Sequence, residues 1–186
     1  MNFIEDYNHP KNFRFDSFKF ALNEAYKRNH RILVETGVSR GKQKLFFFVK
    51  KNWKDGMSTM IFSDYAKFTN GHLYTCDISK KNLNNAKKFI GNKNDHVTFI
   101  QEDSVNFLKN FRNKIDFLYL DSLDGQFADA SNHQLKEISN AINLLNLNSL
   151  ILLDDKGDKT KLSLDFLKEK KYKVLNETKH QILLSL

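Results

Sequence analysis

The chain has 186 residues, of which 40% are hydrophobic and 28% charged, and its formal net charge is +8. This composition predicts a single domain over residues 1–186 with a sizeable core, and the one cysteine, Cys76, excludes a disulfide framework and a multi-cysteine zinc site. Because no apolar run could span a membrane and residues 1–6 lack the features of a signal peptide, we expect a cytoplasmic protein.

The N-terminal part of the chain predicts an arm followed by a helix. Residues 1–12 contain the only proline and predict an irregular arm, while apolar residues at helical spacing predict a helix over Phe13–Asn29. Asp16 or Ser17 is placed to cap the start of this helix. We expect the helix to cover one end of the crevice that the next segment predicts.

The first predicted strand, residues 31–36, runs into a glycine turn, Glu35-Thr36-Gly37. Gly37 can adopt backbone angles that other residues avoid, and it leaves room for a ligand against the backbone. Gly56 repeats this feature just before a predicted helix. A strand, a glycine turn and a helix start together predict a cofactor-binding crevice in an α/β sheet.

The segment 38–56 between the two glycines is apolar in its middle and basic at its ends. One interpretation is a lid or recognition loop inserted over the cofactor, in which Phe46, Phe47, Phe48 or Trp53 shapes an acceptor pocket. The other is an extra helical turn that buries these aromatic residues against the core or against a partner subunit, which would make the protein a homodimer.

The rest of the chain alternates between helices and strands. Helices are predicted at 57–68 (capped by Ser58 or Thr59), 79–90, 104–111, 132–145 and 160–171, strands at 72–77, 97–100, 115–121 and 149–155, and a closing hairpin at 172–176 and 181–184. This order predicts a Rossmann-like, doubly wound α/β fold with a mainly parallel seven-stranded sheet and helices on both faces. The last strand should be antiparallel, because no helix separates the final two strands.

Acidic residues stand at the end of each of the five strands that precede the hairpin. They are Glu35, Asp77, Asp103 (just beyond its strand), Asp121 and the pair Asp154-Asp155. Ligands of open parallel sheets bind outside the carboxyl ends of the strands, so these acids should converge on one crevice. Asp77 follows Gly56 by 77 − 56 = 21 residues, near the offset of about 20 at which an acid binds a ribose diol.

Over residues 31–186 the chain resembles the class I S-adenosylmethionine-dependent methyltransferases. The segments that carry the resemblance are Glu35-Thr-Gly37 with Asp55-Gly-Met-Ser-Thr59, Thr75-Cys-Asp77, Gln101-Glu-Asp103-Ser104 and Asp116-Phe-Leu-Tyr-Leu-Asp121. This chain departs from the family pattern in that residues 38–56 split its first motif. The closing hairpin is similar to the reversed last strand of the family.

The resemblance implies contacts for the methionine end of S-adenosylmethionine. Gly37 would approach this end, and Glu35 would help to hold it directly or through water. Ser58 and Thr59 would meet the cofactor carboxylate at the helix start. Thr36 and Gly56 belong to the same split motif, which requires Gly37 and Gly56 to come together in space.

The resemblance also implies contacts for the nucleoside end. Asp77 would bind the ribose, and Asp103 would accept a hydrogen bond from the adenine amino group. Ile78 and Ser104 would lie beside the adenine ring, and Asp121 would complete the cofactor site.

Among these enzymes the chain is most similar to the small metal-dependent O-methyltransferases of the catechol and sugar types. That similarity implies a divalent cation bound by Asp121, Asp154 and Asp155, whose oxygens suit Mg²⁺ or Mn²⁺. The cation would favour ionisation of an acceptor hydroxyl. The alternative is that Asp154 and Asp155 cap a turn and that Asp121 orders its loop.

The general base is less directly indicated. The catechol-type enzymes carry a lysine shortly after the fourth strand, where this chain has Asp121-Ser-Leu-Asp124. Lys156 is a candidate by position, and His133 is another because it begins a helix that could face the crevice. A histidine there is equally consistent with a surface position.

Other functions remain open at this point. The +8 charge is consistent with an RNA substrate, although no Asn-Pro-Pro-Tyr-like motif follows the fourth strand. The first turn lacks the three-glycine spacing expected around a pyrophosphate, which disfavours a nicotinamide dinucleotide. A cofactor-binding protein without turnover is the third alternative. We expect a small-molecule methyl acceptor as the partner in preference to nucleic acid, and no membrane.

Overall fold

The computed structural model describes the backbone of residues 2–39, 41–45, 48–91 and 95–186, and their side chains except at 42–45 and 48–50. The helices are α1 (Phe15–Lys27), α2 (Ser58–Thr69), α3 (Lys80–Ile90), α4 (Ser104–Asn110), α5 (Ala130–Ala141) and α6 (Lys161–Glu169). The strands are β1 (Ile32–Thr36), β2 (Lys42–Leu45), β3 (Phe48–Lys51), β4 (His72–Cys76), β5 (Val97–Ile100), β6 (Ile115–Leu120), β7 (Leu145–Asp154), β8 (Lys173–Glu177) and β9 (Gln181–Ser185). Short 3₁₀ helices cover Asn2–Tyr7, Trp53–Asp55 and Ile142–Leu144.

Seven of the strands form one sheet in the order β5-β4-β1-β6-β7-β9-β8. Strands β5, β4, β1, β6 and β7 are parallel, and β9 is antiparallel to both of its neighbours. The predicted fold class and the reversed last strand are therefore confirmed. Among the described residues, no helix is both long and apolar enough to cross a lipid bilayer.

The register of the parallel strands brings their carboxyl ends to one edge of the sheet. Thr36 lies opposite Cys76 and Leu120, and Leu120 lies opposite Leu153. The residues that follow these four are Gly37, Asp77, Asp121 and Asp154. The predicted convergence of the strand-end residues follows directly from this pairing.

The core lies on both faces of the sheet, as strand β6 illustrates. Phe117 and Tyr119 pack into the cluster that α1 and α2 cover, whereas Leu118 and Leu120 pack into the cluster that α4, α5 and α6 cover. Successive strand residues point to opposite faces, so a strand that is buried on both sides is apolar throughout. This double burial fixes the sheet rigidly beneath its edge.

Two predictions for the N-terminal part are wrong. The expected irregular arm contains a 3₁₀ helix, whose Tyr7 donates a hydrogen bond to Asp64 (2.6 Å). Neither Asp16 nor Ser17 caps α1, because its N-cap residue is Arg14 and the Ser17 hydroxyl instead bonds to Gln181 on β9. Tertiary contacts have replaced the local ones that the sequence suggested.

The inserted segment contains the antiparallel hairpin β2–β3 followed by a single 3₁₀ turn. The predicted extra helical turn is therefore wrong for the strands of this hairpin, but a single 3₁₀ turn is present at Trp53–Asp55, where Trp53 packs against the core. Phe46 and Phe47 lie outside the described residues, as does the side chain of Phe48. Trp53 stacks on His9, with 4.6 Å between ring centroids. The roles of this segment as a lid or dimer contact stay predictions.

Candidate functional site

The turn after β1 requires a glycine. Gly37 has a φ of 83°, and a Cβ atom at this position would lie 2.1 Å from the carbonyl oxygen of Asp121. Its amide donates to the carbonyl oxygen of Cys76 (2.8 Å), while the Asp121 amide donates to Thr36 (2.9 Å). Any side chain would force β1 and β6 apart, so Gly37 allows the two strand ends to meet closely.

A groove with two adjoining cavities, of about 150 Å³ and 220 Å³, opens above this turn. Both cavities are lined by Gly37, Asp77, Ile78, Ser122 and Leu123. The smaller also includes Asp103, Ser104 and His133, and the larger includes Asp55 and Asp121. The groove thus unites six of the predicted cofactor residues and joins Gly37 to Asp55, which brings the two parts of the split motif together.

Asp77 is fixed at the middle of the groove by donors on three sides. Its Oδ1 accepts from the Ser79 amide (2.6 Å), and its Oδ2 accepts from the Val38 amide (3.2 Å) and the Asn82 side chain (3.3 Å). The next residue, Ile78, is 72% exposed although it is a large apolar side chain. A fixed carboxylate beside an exposed apolar surface suits a ribose diol and the face of an adenine ring.

The smaller cavity holds the residues predicted to contact adenine. Asp103 is the N-cap of α4, where its Oδ1 accepts from the Asn106 amide (3.1 Å). The Ser104 hydroxyl lies 3.0 Å from Nε2 of His133. His133 therefore lies at the predicted adenine end of the groove, whereas Asp121 lines the other cavity. This placement does not favour His133 as the general base.

Glu35 is completely buried, and its carboxylate is bound by hydroxyl groups. Oε1 accepts from Ser58 (2.6 Å), and Oε2 accepts from Thr59 (2.8 Å) and Thr75 (2.6 Å). Burial raises the pKa of Glu35 to about 7, although these three hydroxyls oppose the rise. The cluster connects the carboxyl end of β1 to α2 and β4.

This cluster assigns the first-motif side chains a structural role. Among the described residues that line the groove, none is Glu35, Thr36, Gly56, Ser58 or Thr59, so their contacts with the cofactor stay predictions. The predicted capping of α2 by Ser58 or Thr59 is wrong. Its N-cap residue is Met57, in the left-handed region, and the Thr59 amide donates instead to the Ser39 hydroxyl (3.2 Å).

The three acids at the ends of β6 and β7 lie together, as predicted. Asp121, Asp154 and Asp155 each place a carboxylate oxygen within 4.8 Å of the others. Asp155 has a φ of 54°, a left-handed conformation that is uncommon for a residue other than glycine. Strained backbone of this kind is concentrated at functional sites.

Two basic side chains enter the acidic cluster. Arg14 donates to both oxygens of Asp154 (2.7 Å each) and to Oδ1 of Asp155 (2.9 Å). Lys159 lies between Asp121 and Asp155, with its Nζ 3.2 Å and 3.3 Å from their oxygens. Its side chain is only 2% exposed. The cluster therefore contains its own cations.

The carboxyl groups of Asp121 and Asp154 respond in opposite directions. Burial and the neighbouring charge of Asp154 raise the pKa of Asp121 well above its ordinary value. Burial also works to raise the pKa of Asp154, but the hydrogen bonds and charge of Arg14 outweigh it and hold that pKa below its usual range. The two carboxyls titrate as a pair in which Asp154 carries the charge.

The donor types of this cluster suit a hard divalent cation, but their arrangement does not. Asp154 is 0% exposed and accepts three hydrogen bonds, two from Arg14 and one from Gln181 (2.8 Å). A divalent ion would have to displace the Lys159 ammonium from between Asp121 and Asp155. The three residues as they stand therefore do not fit a resident metal ion, and no step below is assigned to one.

A polar cavity of about 510 Å³ lies on the far side of this cluster. It is lined by residues 124–126, 155–159, 179 and 180. Asp124 lines both this cavity and the cofactor groove, and Lys159 connects Asp121 of the groove to Asp155 of the cavity. Lys156 also lines it, but its ammonium pairs with Glu177 and makes no contact with the acidic cluster among the described residues.

Three residues of this site were not predicted from the sequence: Arg14, Lys159 and Gln181. Arg14 is separated from Asp154 by 140 positions, and no local pattern marks it. Lys159 follows Asp155 at the i, i+4 spacing, which is the spacing of ion pairs on a helical turn and was available as a signal. Gln181 was read only as a strand residue.

Comparison with known families places residues 53–156 in a family described as "Methyltransferase domain". The match covers 156 − 53 + 1 = 104 of the 186 residues, which is more than half of the chain. It begins after the β2–β3 hairpin and includes Asp77, Asp103 and the three clustered acids. A search of curated proteins found no match.

Solved structures share the fold at low sequence identity. An O-methyltransferase from Bacillus cereus in complex with SAH (S-adenosylhomocysteine) is 15% identical, with a TM-score of 0.62 over 92% of this chain and 81% of that one. The SAH-bound methyltransferase PaMTH1 from Podospora anserina is 15% identical, with 0.64 over 99% and 84%. An rRNA methylase from Streptococcus thermophilus is 12% identical, with 0.65 over 95% and 98%.

Proposed function

Because the chain belongs to the methyltransferase-domain family, as a class I S-adenosylmethionine-dependent methyltransferase, we propose that it methylates an oxygen atom of a small polar molecule. The observation that carries this proposal is the junction of the cofactor groove with a second, polar cavity at Asp121, Asp124 and Lys159. A cavity of about 510 Å³ has the size of a small-molecule site, and its charged lining suits an acceptor rich in hydroxyl groups.

The residues that line the groove support one orientation of the cofactor. Asp103 and Ser104 would contact the adenine ring, Asp77 the ribose, and Gly37 the methionine end. When bound, the cofactor supplies an electrophilic methyl group on a positively charged sulfur. This order would point the methyl group toward the Asp121 end of the groove, beside Lys159.

The protein's own contribution to the reaction is then positioning and electrostatics. Acceptor and methyl group meet between two cavities whose walls are held by the rigid strand ends of β1, β6 and β7, which reduces the entropic cost of alignment. Lys159 directs two of its three N–H donors at Asp121 and Asp155. Its third donor is left for an acceptor oxygen in the polar cavity, which Lys159 lines. We therefore assign Lys159 rather than Lys156 to contact with the acceptor.

A second candidate function is RNA methylation. Two observations favour it: the net charge of +8, and the similarity in length and fold to the rRNA methylase from S. thermophilus, of which this chain covers 98%. Basic charge promotes binding to phosphate backbones in a salt-dependent manner. RNA binding that disappears between low and physiological salt without methyl transfer would count against this candidate.

Calorimetric titration with S-adenosylhomocysteine tests the cofactor site. We expect micromolar binding by the natural protein and a loss of at least about tenfold in Asp77→Ala, because one or two charge-assisted hydrogen bonds to the ribose disappear. Asp165→Ala is the matched control, since Asp165 is exposed on α6 and outside the groove, and it should bind as the natural protein does. Absence of binding would refute the proposed function.

Transfer of a labelled methyl group tests the acceptor class. The protein and labelled S-adenosylmethionine are incubated with a panel of diols and sugars, and separately with total RNA. Label in a hydroxyl compound that is resistant to ribonuclease supports the proposal, whereas label in RNA alone supports the second candidate. Cofactor binding without any transfer would support a protein that binds the cofactor without turnover.

A further inference from the structure

We infer that the ammonium of Lys159, together with the guanidinium of Arg14, takes the place of a divalent cation at the end of β6 and β7, so that this chain transfers methyl groups without a bound metal. Only the claim that methyl transfer proceeds without a bound metal rests on the proposed function. The first clause, that the acidic cluster holds protein cations and excludes a metal ion, concerns the cluster alone.

The carboxylate oxygens of the acidic cluster are already occupied by hydrogen-bond donors of the chain. All six oxygens of the cluster accept a hydrogen bond from within the chain: Asp121 from Lys159 and Tyr119, Asp154 from Arg14 and Gln181, and Asp155 from Arg14, Lys159 and the Gly125 amide. A metal ion is bound by oxygen lone pairs that point at a common centre. Here those lone pairs are directed to protein donors instead.

Arg14 binds Asp154 in a geometry that a metal ion would have to disrupt. Its Nε and one terminal nitrogen meet the two oxygens of Asp154 at 2.7 Å each, which is the bidentate arrangement that makes arginine–carboxylate pairs strong. The Arg14 side chain is 16% exposed and Asp154 is fully buried. Breaking this pair to free Asp154 as a metal ligand would leave a buried charge without compensation. The free-energy cost is far higher than that of breaking an exposed ion pair on the surface.

The charges of the two basic side chains nearly balance those of the three carboxylates. Three carboxylates carry at most three negative charges, and Arg14 and Lys159 supply two positive ones. A divalent ion added to this cluster would leave an excess of positive charge in a partly buried site, whereas a site without Lys159 would be well matched to the ion.

The position of Lys159 completes the inference. Its Nζ bridges Asp121, which lines the cofactor groove, and Asp155, which lines the polar cavity. A metal ion held by Asp121 and Asp155 would supply positive charge there, and the Lys159 ammonium supplies it instead. An ammonium at that place can donate a hydrogen bond to the acceptor oxygen without a metal. When this oxygen takes the methyl group from the sulfur of the cofactor, the hydroxyl proton would pass to solvent water, to which the polar cavity is open.

Direct measurement of Mn²⁺ binding tests the inference. The free ion is followed by electron paramagnetic resonance in titrations of the natural protein and of Lys159→Met, a variant that keeps the aliphatic stem and removes the charge. We expect the natural protein to bind Mn²⁺ more weakly than about 1 mM. Lys159→Met should bind it at least about tenfold more tightly, because two carboxylates lose their cation.

Two controls separate this effect from a general change in charge. Lys161→Met removes a lysine at the start of α6, two residues after Lys159. Its side chain is exposed and makes no contact with the cluster among the described residues, so this variant should not change Mn²⁺ binding. Lys159→Arg keeps the positive charge and should likewise show no gain. If Lys159→Met does not fold, as judged by its thermal transition, Lys159→Gln replaces it in the titration.

Two results would overturn the inference. One is micromolar Mn²⁺ binding by the natural protein that Asp121→Asn abolishes. The other is a folded Lys159→Met protein that binds Mn²⁺ no better than the natural one. Titration with S-adenosylhomocysteine in the presence and absence of a chelator is run in parallel: failure of that binding refutes the proposed function, while the Mn²⁺ result still decides the inference about the cluster.

Discussion

Two buried acids at the same edge of the sheet differ in how their charge is treated. Glu35 at the end of β1 and Asp154 at the end of β7 are both 0% exposed. Glu35 is bound by three neutral hydroxyls, and its pKa rises to about 7, whereas Asp154 is bound by Arg14 and Gln181, and its pKa falls below the ordinary value. Equal burial therefore has opposite consequences, because a cation compensates the lost hydration of a carboxylate and hydroxyls do so only partly.

This difference separates a structural site from a chemical one. The Glu35 cluster connects three elements of the core and lies beneath the groove. The Asp154 cluster keeps charge at the junction of two cavities. Substitution of Arg14, of Glu35 and of the half-buried Asp103 should therefore have different effects.

Removal of Arg14 should have the largest effect on stability. Arg14→Met leaves Asp154 buried and charged without its bidentate partner, and we expect a loss of about 3–5 kcal/mol in the free energy of unfolding. Urea denaturation measures this loss. Lys27→Met on the same helix removes only an exposed pair with Glu24, and it should cost less than about 1 kcal/mol. Equal losses in the two variants would show that the Arg14–Asp154 pair does not stabilise the fold.

Glu35 should make stability depend on pH in the direction opposite to a salt-bridged acid. Its pKa rises from an ordinary 4.5 to about 7 on folding, so the folded state holds the proton more tightly. The contribution is complete below about pH 4.5 and is lost as the pH rises through 7, by about 3 kcal/mol for a shift of this size.

Comparison of Glu35→Gln with the natural protein isolates the contribution of Glu35 to the pH dependence of stability. We expect the natural protein to lose stability relative to Glu35→Gln between pH 5 and pH 8, as measured by urea denaturation at each pH, because other titrating groups are common to both proteins. A difference that does not change over this range would contradict the raised pKa.

Asp103 should show the smallest effect, since it is half-buried and bound through a backbone amide. Asp103→Ala removes the N-cap of α4 and should cost about 1 kcal/mol, whereas Asp103→Asn keeps the cap and should change stability by only a few tenths. Both variants should weaken S-adenosylhomocysteine binding if Asp103 contacts adenine, with the larger loss in Asp103→Ala. Unchanged binding in both would remove Asp103 from the cofactor site.

Much of the cofactor half was predictable because its signals are local. Gly37 and Asp77 follow their strands directly, and Asp103 lies three residues beyond β5. The parallel register brings such positions to one edge. Asp77 and Asp103 also bind backbone amides two and three residues further on. Short-range geometry of this kind is expressed in residue type and spacing, so a single sequence reveals it.

The buried first-motif residues and the acidic cluster were predictable only in part. The sequence placed Glu35 beside a glycine turn but did not show that Ser58, Thr59 and Thr75 would enclose it. In the same way, it brought Asp121, Asp154 and Asp155 together but did not show that Arg14 and Lys159 would lie among them. Whether a strand-end acid faces a ligand, a hydroxyl or a cation depends on which distant element packs against it.

The amino-acid sequence by itself determined the order of helices and strands, the doubly wound sheet and the convergence of acids at its carboxyl edge, because these follow from hydrophobic periodicity and chain direction. Only the tertiary structure decided how those acids are used. Helix α1 brings Arg14 across 140 positions to Asp154, and the turn before α6 carries Lys159 between Asp121 and Asp155. Electrostatic partners of buried groups are chosen by packing in three dimensions, and no local pattern in the chain specifies them.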